Sequence, residues 1–136
     1  MMKPRHLLTA GSALLLSFTA HAEQATQPEL SCQVTYASQT ETLLTGLSAD
    51  PYTVKAADIA GRFRFKAVMQ GKNNTINYIK LYVYLQNGDS DIPVHQASYS
   101  GPFPHAEQAY RLTPHNTVYA GPLERMLQYE CLLHHL

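Results

Sequence analysis

The chain has 136 residues, with ten basic and ten acidic side chains, nine Tyr, four Phe and no Trp. A balance this close to neutral excludes a general nucleic-acid binder, which needs a surplus of Lys and Arg on one face. Beyond the N-terminal leader no stretch is apolar and long enough to cross a bilayer as a helix, so no transmembrane segment is expected there.

The chain opens MMKPRHLLTAGSALLLSFTAHA, where Lys3 and Arg5 precede an apolar run that closes on Ala20-His21-Ala22. This is the pattern of a secretory signal peptide with a small-residue cleavage site. The run is too short for a membrane anchor and is interrupted by Thr9, Gly11, Ser12, Ser17 and Thr19. The expected organisation is a cleaved signal peptide over 1–22, a flexible leader over 23–29 and a single β domain over 30–136, in the periplasm or secreted. Loss of Lys3 and Arg5 with the leader turns the charge balance mildly acidic. Cys32 and Cys131 lie near the two ends of the mature chain, and an even pair in an exported protein is read as one disulfide. A redox couple or thiolate metal site would call for C-x-x-C spacing, which is absent.

In chain order, Leu30, Cys32, Val34 and Tyr36 alternate with polar residues and predict a first strand with Cys32 facing inward. Over 40–51, Glu41, Leu43, Leu44 and Leu47 fit one or two helical turns, stopped by Gly46 and by the Ser48-Ala49-Asp50-Pro51 run. Residues 52–59 form a short edge strand or an irregular segment. From Gly61, Phe63, Phe65, Ala67 and Met69 alternate with Arg62, Arg64, Lys66 and Val68, which predicts a strand with its apolar set on the core. Gly71-Lys72-Asn73-Asn74 supplies turn chemistry. The segment 75–86, TINYIKLYVYLQ, has the strongest period of two in the chain: Ile79, Leu81, Val83 and Leu85 on one face, Tyr78, Lys80, Tyr82, Tyr84 and Gln86 on the other. These two strands should pair as an antiparallel hairpin.

Asn87 to Asp91 forms a polar loop, and 92–100 resumes as a weaker strand whose Pro93 marks an edge or a start. Its alternation sets Ile92, Val94 and Gln96 against His95, Ala97 and Tyr99. The prolines at 102 and 104 make 101–105 a loop. Arg111-Leu112 and Thr117-Val118-Tyr119 are short extended pieces. The segment 123–135 fits both a helix start at Gly121-Pro122 and a strand in which Leu127, Tyr129, Cys131 and Leu133 alternate with Gln128, Glu130 and Leu132. Pairing with Cys32 on an extended segment favours the strand. The expected fold is all-β, a small antiparallel sandwich or open barrel with one disulfide tying its terminal strands.

Pairing of the two best strands collects Arg62, Arg64, Lys66, Tyr78, Lys80, Tyr82 and Tyr84 on one outer face. Such a face can be a solvated sheet surface whose cations sit beside their own tyrosines. It can equally grip an anionic partner, since Tyr offers rigid contact area and Arg a planar fork. The Phe103 loop is a neighbouring candidate contact. The expected function is a non-enzymatic β domain that binds another macromolecule, a protein or an anionic envelope component, through this face. Alternatives are a His-dependent Cu or Zn protein, an inhibitor of exported enzymes, or a hydrolase of unknown type. For a metal, the available imidazoles are His95, His105, His115, His134 and His135, but their spacing contains no H-x-H or H-x-x-x-H pair and no metal site is expected. No cofactor motif and no G-x-S-x-G nucleophile elbow is present, and Asp89 and Asp91 sit in a turn that favours Asp for backbone reasons.

Overall fold

A computed structural model describes residues 26–121 and 125–136; the expected signal peptide and the start of the 123–135 segment lie outside the described residues. The described residues build nine strands: β1 Glu29–Tyr36, β2 Gln39–Ser48, β3 Ala57–Ile59, β4 Phe63–Lys72, β5 Thr75–Asn87, β6 Ser90–Ser100, β7 Tyr110–Arg111, β8 Asn116–Ala120 and β9 Arg125–His134. The helical element among the described residues is one 3₁₀ turn, Pro51–Thr53. The strands join into one sheet in the order β6-β5-β4-β2-β1-β9-β7, with β3 beside β4 and β8 beside β9. The sheet curls into a nearly closed barrel in which β6 approaches β8 across the remaining seam. Pairing is antiparallel except between β2 and β4, which meet in parallel over Leu47↔Met69 and Ser48↔Gln70 alone.

Period-two patterning explains the interior. Phe63, Phe65, Ala67 and Met69 of β4 stand opposite Leu85, Val83, Leu81 and Ile79 of β5. The β4 four and the three β5 residues from Ile79 to Val83 are buried, while Leu85 is partly so. From the other half of the barrel come Leu30, Cys32 and Val34 on β1 and Leu127, Tyr129, Cys131 and Leu133 on β9. Aromatic rings bridge the two halves: Phe63 meets Tyr36 edge-on and Phe65 meets Tyr129, each pair with centroids 5.2 Å apart. Burying a Phe of this kind contributes roughly 1.5–3 kcal/mol.

Tight turns set the registers. Asn73 and Asn74, both at positive φ, join β4 to β5, and Gly88 at φ 59° opens the β5–β6 turn. Near the first of these, Gly71 stands at a register shift in the β4–β5 ladder. A Cβ there would collide with the Thr75 carbonyl and press on the Leu47 side chain of β2.

One expectation is corrected. Residues 40–47 form no helical turns; they are most of β2, paired with β1 from Tyr36↔Gln39 to Glu29↔Gly46. The reversal at Ala37-Ser38 uses two positive-φ residues, of 50° and 65°, without the Gly or Asn that usually announces such a turn. Within the ambiguous C-terminal segment Arg125–His134 is a strand, β9, paired with β1 from Leu127 to His134 and bringing Cys131 directly opposite Cys32. The disulfide closes there, joining residues 99 positions apart with Cα atoms 4.1 Å from each other.

Cys32→Ala, or reduction of the bond, is expected to lower unfolding free energy by about 4 to 5 kcal/mol, the chain-entropy value for a loop of about 100 residues. Denaturant titration of oxidised and reduced protein measures this, and coincident midpoints would remove the structural role. Gly71→Ala should destabilise by about 1–3 kcal/mol through overpacking, read as a shifted midpoint in the same titration.

Candidate binding face

The β4–β5 ladder that buries the apolar set turns the remaining residues outward. Arg64 stands beside Tyr84, Lys66 beside Tyr82, Val68 beside Lys80 and Gln70 beside Tyr78. Several of these groups satisfy one another. Arg64 Nε lies 2.9 Å from the Asp91 carboxylate at the start of β6. Tyr82 and Tyr84 stack with centroids 6.2 Å apart. Lys80 Nζ sits 4.9 Å from the Tyr78 ring centroid, a cation–π contact. Burial, then Tyr82 and Asp91, holds the Tyr84 hydroxyl above its ordinary range, so it remains a neutral donor. Arg62 precedes β4, exposed, with its carbonyl accepting from Gln86 N at 2.9 Å.

The same corner is braced by Asp58, which accepts from Gly61 N at 3.0 Å and from the Gln86 amide. The Gln86 and Gly61 hydrogen bonds, with Arg64 nearby, hold its carboxyl below the usual carboxylate value despite full exposure.

The feature that sequence reasoning missed is the 3₁₀ turn laid over this face. Asp50 caps it, accepting from Tyr52 N at 2.9 Å, and Pro51 occupies its first turn. Ser48 Oγ and Thr53 Oγ1 both donate to the Asp50 carbonyl, at 2.7 and 2.8 Å. Tyr52 is thereby held 93% exposed at the edge of a pocket of about 160 Å³. Val68, an outward apolar side chain only 3% exposed, lines it together with Tyr78, Tyr82, Lys66 and Lys80. The Asp50-Pro51 dipeptide, a cap followed by Pro at a first helical position, was the available signal. Among the described residues neither Lys66 nor Lys80 has a carboxylate at ion-pair distance.

Phe103 does not belong to this surface. It is 9% exposed and packs into the hydrophobic core, because its flanking prolines turn the chain over the barrel end and the ring fills the space beneath. The histidines separate into different environments. His95, on β6, places Nε2 2.7 Å from the Tyr129 hydroxyl on β9 and spans the barrel seam. His105 and His135 lie with ring centroids 3.8 Å apart, tilted by 35°. His115 is an exposed loop residue and His134 is half-buried at the end of β9. Among the described residues no three His, Cys, Asp or Glu side chains are grouped so as to hold one metal ion.

A wider opening of about 380 Å³ lies where β2 splays from β4, lined by Leu43, Leu44, Val54, Lys55, Phe65 and Ala67 among others. It follows from the two-residue β2–β4 pairing and gathers a single charged group, Lys55. Comparison with known families, characterised proteins and solved structures returns no match.

Burial pushes the His95 imidazole below its ordinary value, and burial followed by Tyr99 pushes the Tyr129 hydroxyl up. Between the ordinary His value of about 6.5 and the lower native one, the unfolded chain binds a proton that the folded chain refuses. Stability therefore rises with pH across that window and is lost on acidification. Melting temperatures taken at about pH 5 and about pH 7.5 should show this loss, and His95→Gln should reduce it; an unchanged pH slope in that variant would place the effect elsewhere.

Proposed function

We propose that this protein is a non-catalytic exported β-barrel, periplasmic or secreted, that binds another macromolecule through the outer face of β4 and β5. The observation that supports it best is Tyr52. At 93% it is the most exposed of the large apolar side chains among the described residues, and a capped, proline-containing turn fixes its backbone beside a pocket walled by two more tyrosines and two lysines. Its backbone is preorganised, so only the two χ angles of the ring remain to be ordered on binding. The two lysines set the sign of the partner: an acidic protein loop or an anionic envelope component. Arg64 and Tyr84 act as the frame, because Asp91 and Tyr82 already engage them. The disulfide fits an oxidising, non-cytoplasmic compartment.

Tyr52→Ala combined with Lys66→Glu tests the reading. The Tyr52 change should shift stability by no more than about 0.5 kcal/mol, as expected of an exposed residue. The pair should weaken capture of partners from a periplasmic extract, or flotation with anionic vesicles, by about 2 kcal/mol, roughly thirtyfold. Binding should also fall with added salt. Identical capture and flotation by the double variant would end the proposal for this face.

A further inference from the structure

The tip of the β4–β5 hairpin, the loop between β6 and β7 and the residues after β9 meet at one end of the barrel. Ala106 N donates to the His135 carbonyl at 2.8 Å, strapping the loop to the end of the chain that follows β9. His105 and His135 lie against each other there, tilted by 35°, and with Asn74, Phe103 and Pro102 they line a pocket of about 410 Å³. His135 is only 4% exposed.

The hydrogen bonds decide what these rings can offer. His105 Nδ1 lies 3.1 Å from the Leu136 carbonyl oxygen, and His135 Nε2 lies 3.4 Å from the Asn74 carbonyl oxygen. A carbonyl oxygen only accepts, so each of these ring nitrogens carries the proton. In the neutral imidazole the other nitrogen is then a bare lone pair: Nε2 in His105 and Nδ1 in His135. Buried His135 Nδ1 has no hydrogen-bond partner, and neither does the buried side-chain oxygen of Asn74. Two buried acceptors on residues that line this pocket are therefore left without a donor. A ring N–H given to a backbone carbonyl is also the arrangement that orients metal-ligating histidines and raises their basicity.

We propose that His105, His135 and Asn74 form a binding site for a divalent first-row transition metal, with Cu(II) preferred. Two imidazole nitrogens and an amide oxygen are a neutral N,O donor set. Such sets suit Cu(II) in a tetragonal arrangement completed by solvent, and at a given N,O site Cu(II) binds more tightly than Zn(II). The site shares no residue with the tyrosine face, and its test is independent of that reading. A cation there would tie the hairpin tip to the last residues of the chain, so binding would also stabilise the fold.

The test uses the disulfide-bonded protein without a histidine tag and Cu(II) alone, followed by calorimetry and electron paramagnetic resonance. One Cu(II) per chain is expected, with hyperfine coupling to two imidazole nitrogens, a raised melting temperature and weaker binding of Zn(II). His105→Ala changes an exposed loop residue and should preserve the fold while weakening Cu(II) binding at least tenfold. His135→Gln should do the same, and circular dichroism separates loss of the site from loss of the fold. Asn74→Asp should tighten binding, whereas His115→Ala and His134→Asn should leave it unchanged. Undiminished affinity in His105→Ala, a spectrum with one nitrogen, or equal losses in the His115 and His134 variants would overturn the site.

Discussion

The register between β4 and β5 is the constraint on which the rest of this structure depends. Phe65 stands opposite Val83 and Lys66 opposite Tyr82, so one ladder sorts its side chains into an inward set and an outward set. A slip of β5 by one residue against β4 would turn Lys80, Tyr82 and Tyr84 inward and Ile79, Leu81 and Val83 outward, with β4 unchanged. The Asn73-Asn74 turn and the irregularity at Gly71 hold that register from the hairpin tip. The core and the candidate binding face are two sides of a single pairing decision.

The opposite wall of the barrel is organised by β1, which pairs along its whole length with β2 on one side and β9 on the other. The Cys32–Cys131 bond adds a covalent crosslink to the β1–β9 ladder, between residues far apart in the chain. Closure is less complete elsewhere. β2 meets β4 over two residues, and beside the seam where β6 faces β8 the His95–Tyr129 contact joins β6 to β9. Those places are where the wall opens into pockets and where a titrating group contributes to holding it together.

The strands with clean alternation were legible from composition and order. Segments 30–36, 63–69 and 79–85 each carry apolar residues at every second position, the plain pattern of a strand. The segment 40–47 misled because Leu43, Leu44 and Leu47 also satisfy helical spacing, while the Ala37-Ser38 reversal lacks a turn residue. Long-range pairing with β1 decided it. Phe103 looked like a loop contact, since prolines flank it, yet a loop that folds back over a barrel end delivers its apolar side chain to the core.

By itself the amino-acid sequence determined the fold class and the pairing of Cys32 with Cys131, because the first follows from strands with a period of two and the second from a chain that holds just two cysteines. Only the tertiary structure decided that Tyr52 would overhang the tyrosine and cation face, that Arg64 would be taken by Asp91, and that His105 and His135 would lie together beside Asn74. Each of these brings together groups from separate strands or loops, and no local periodicity encodes the distance between them.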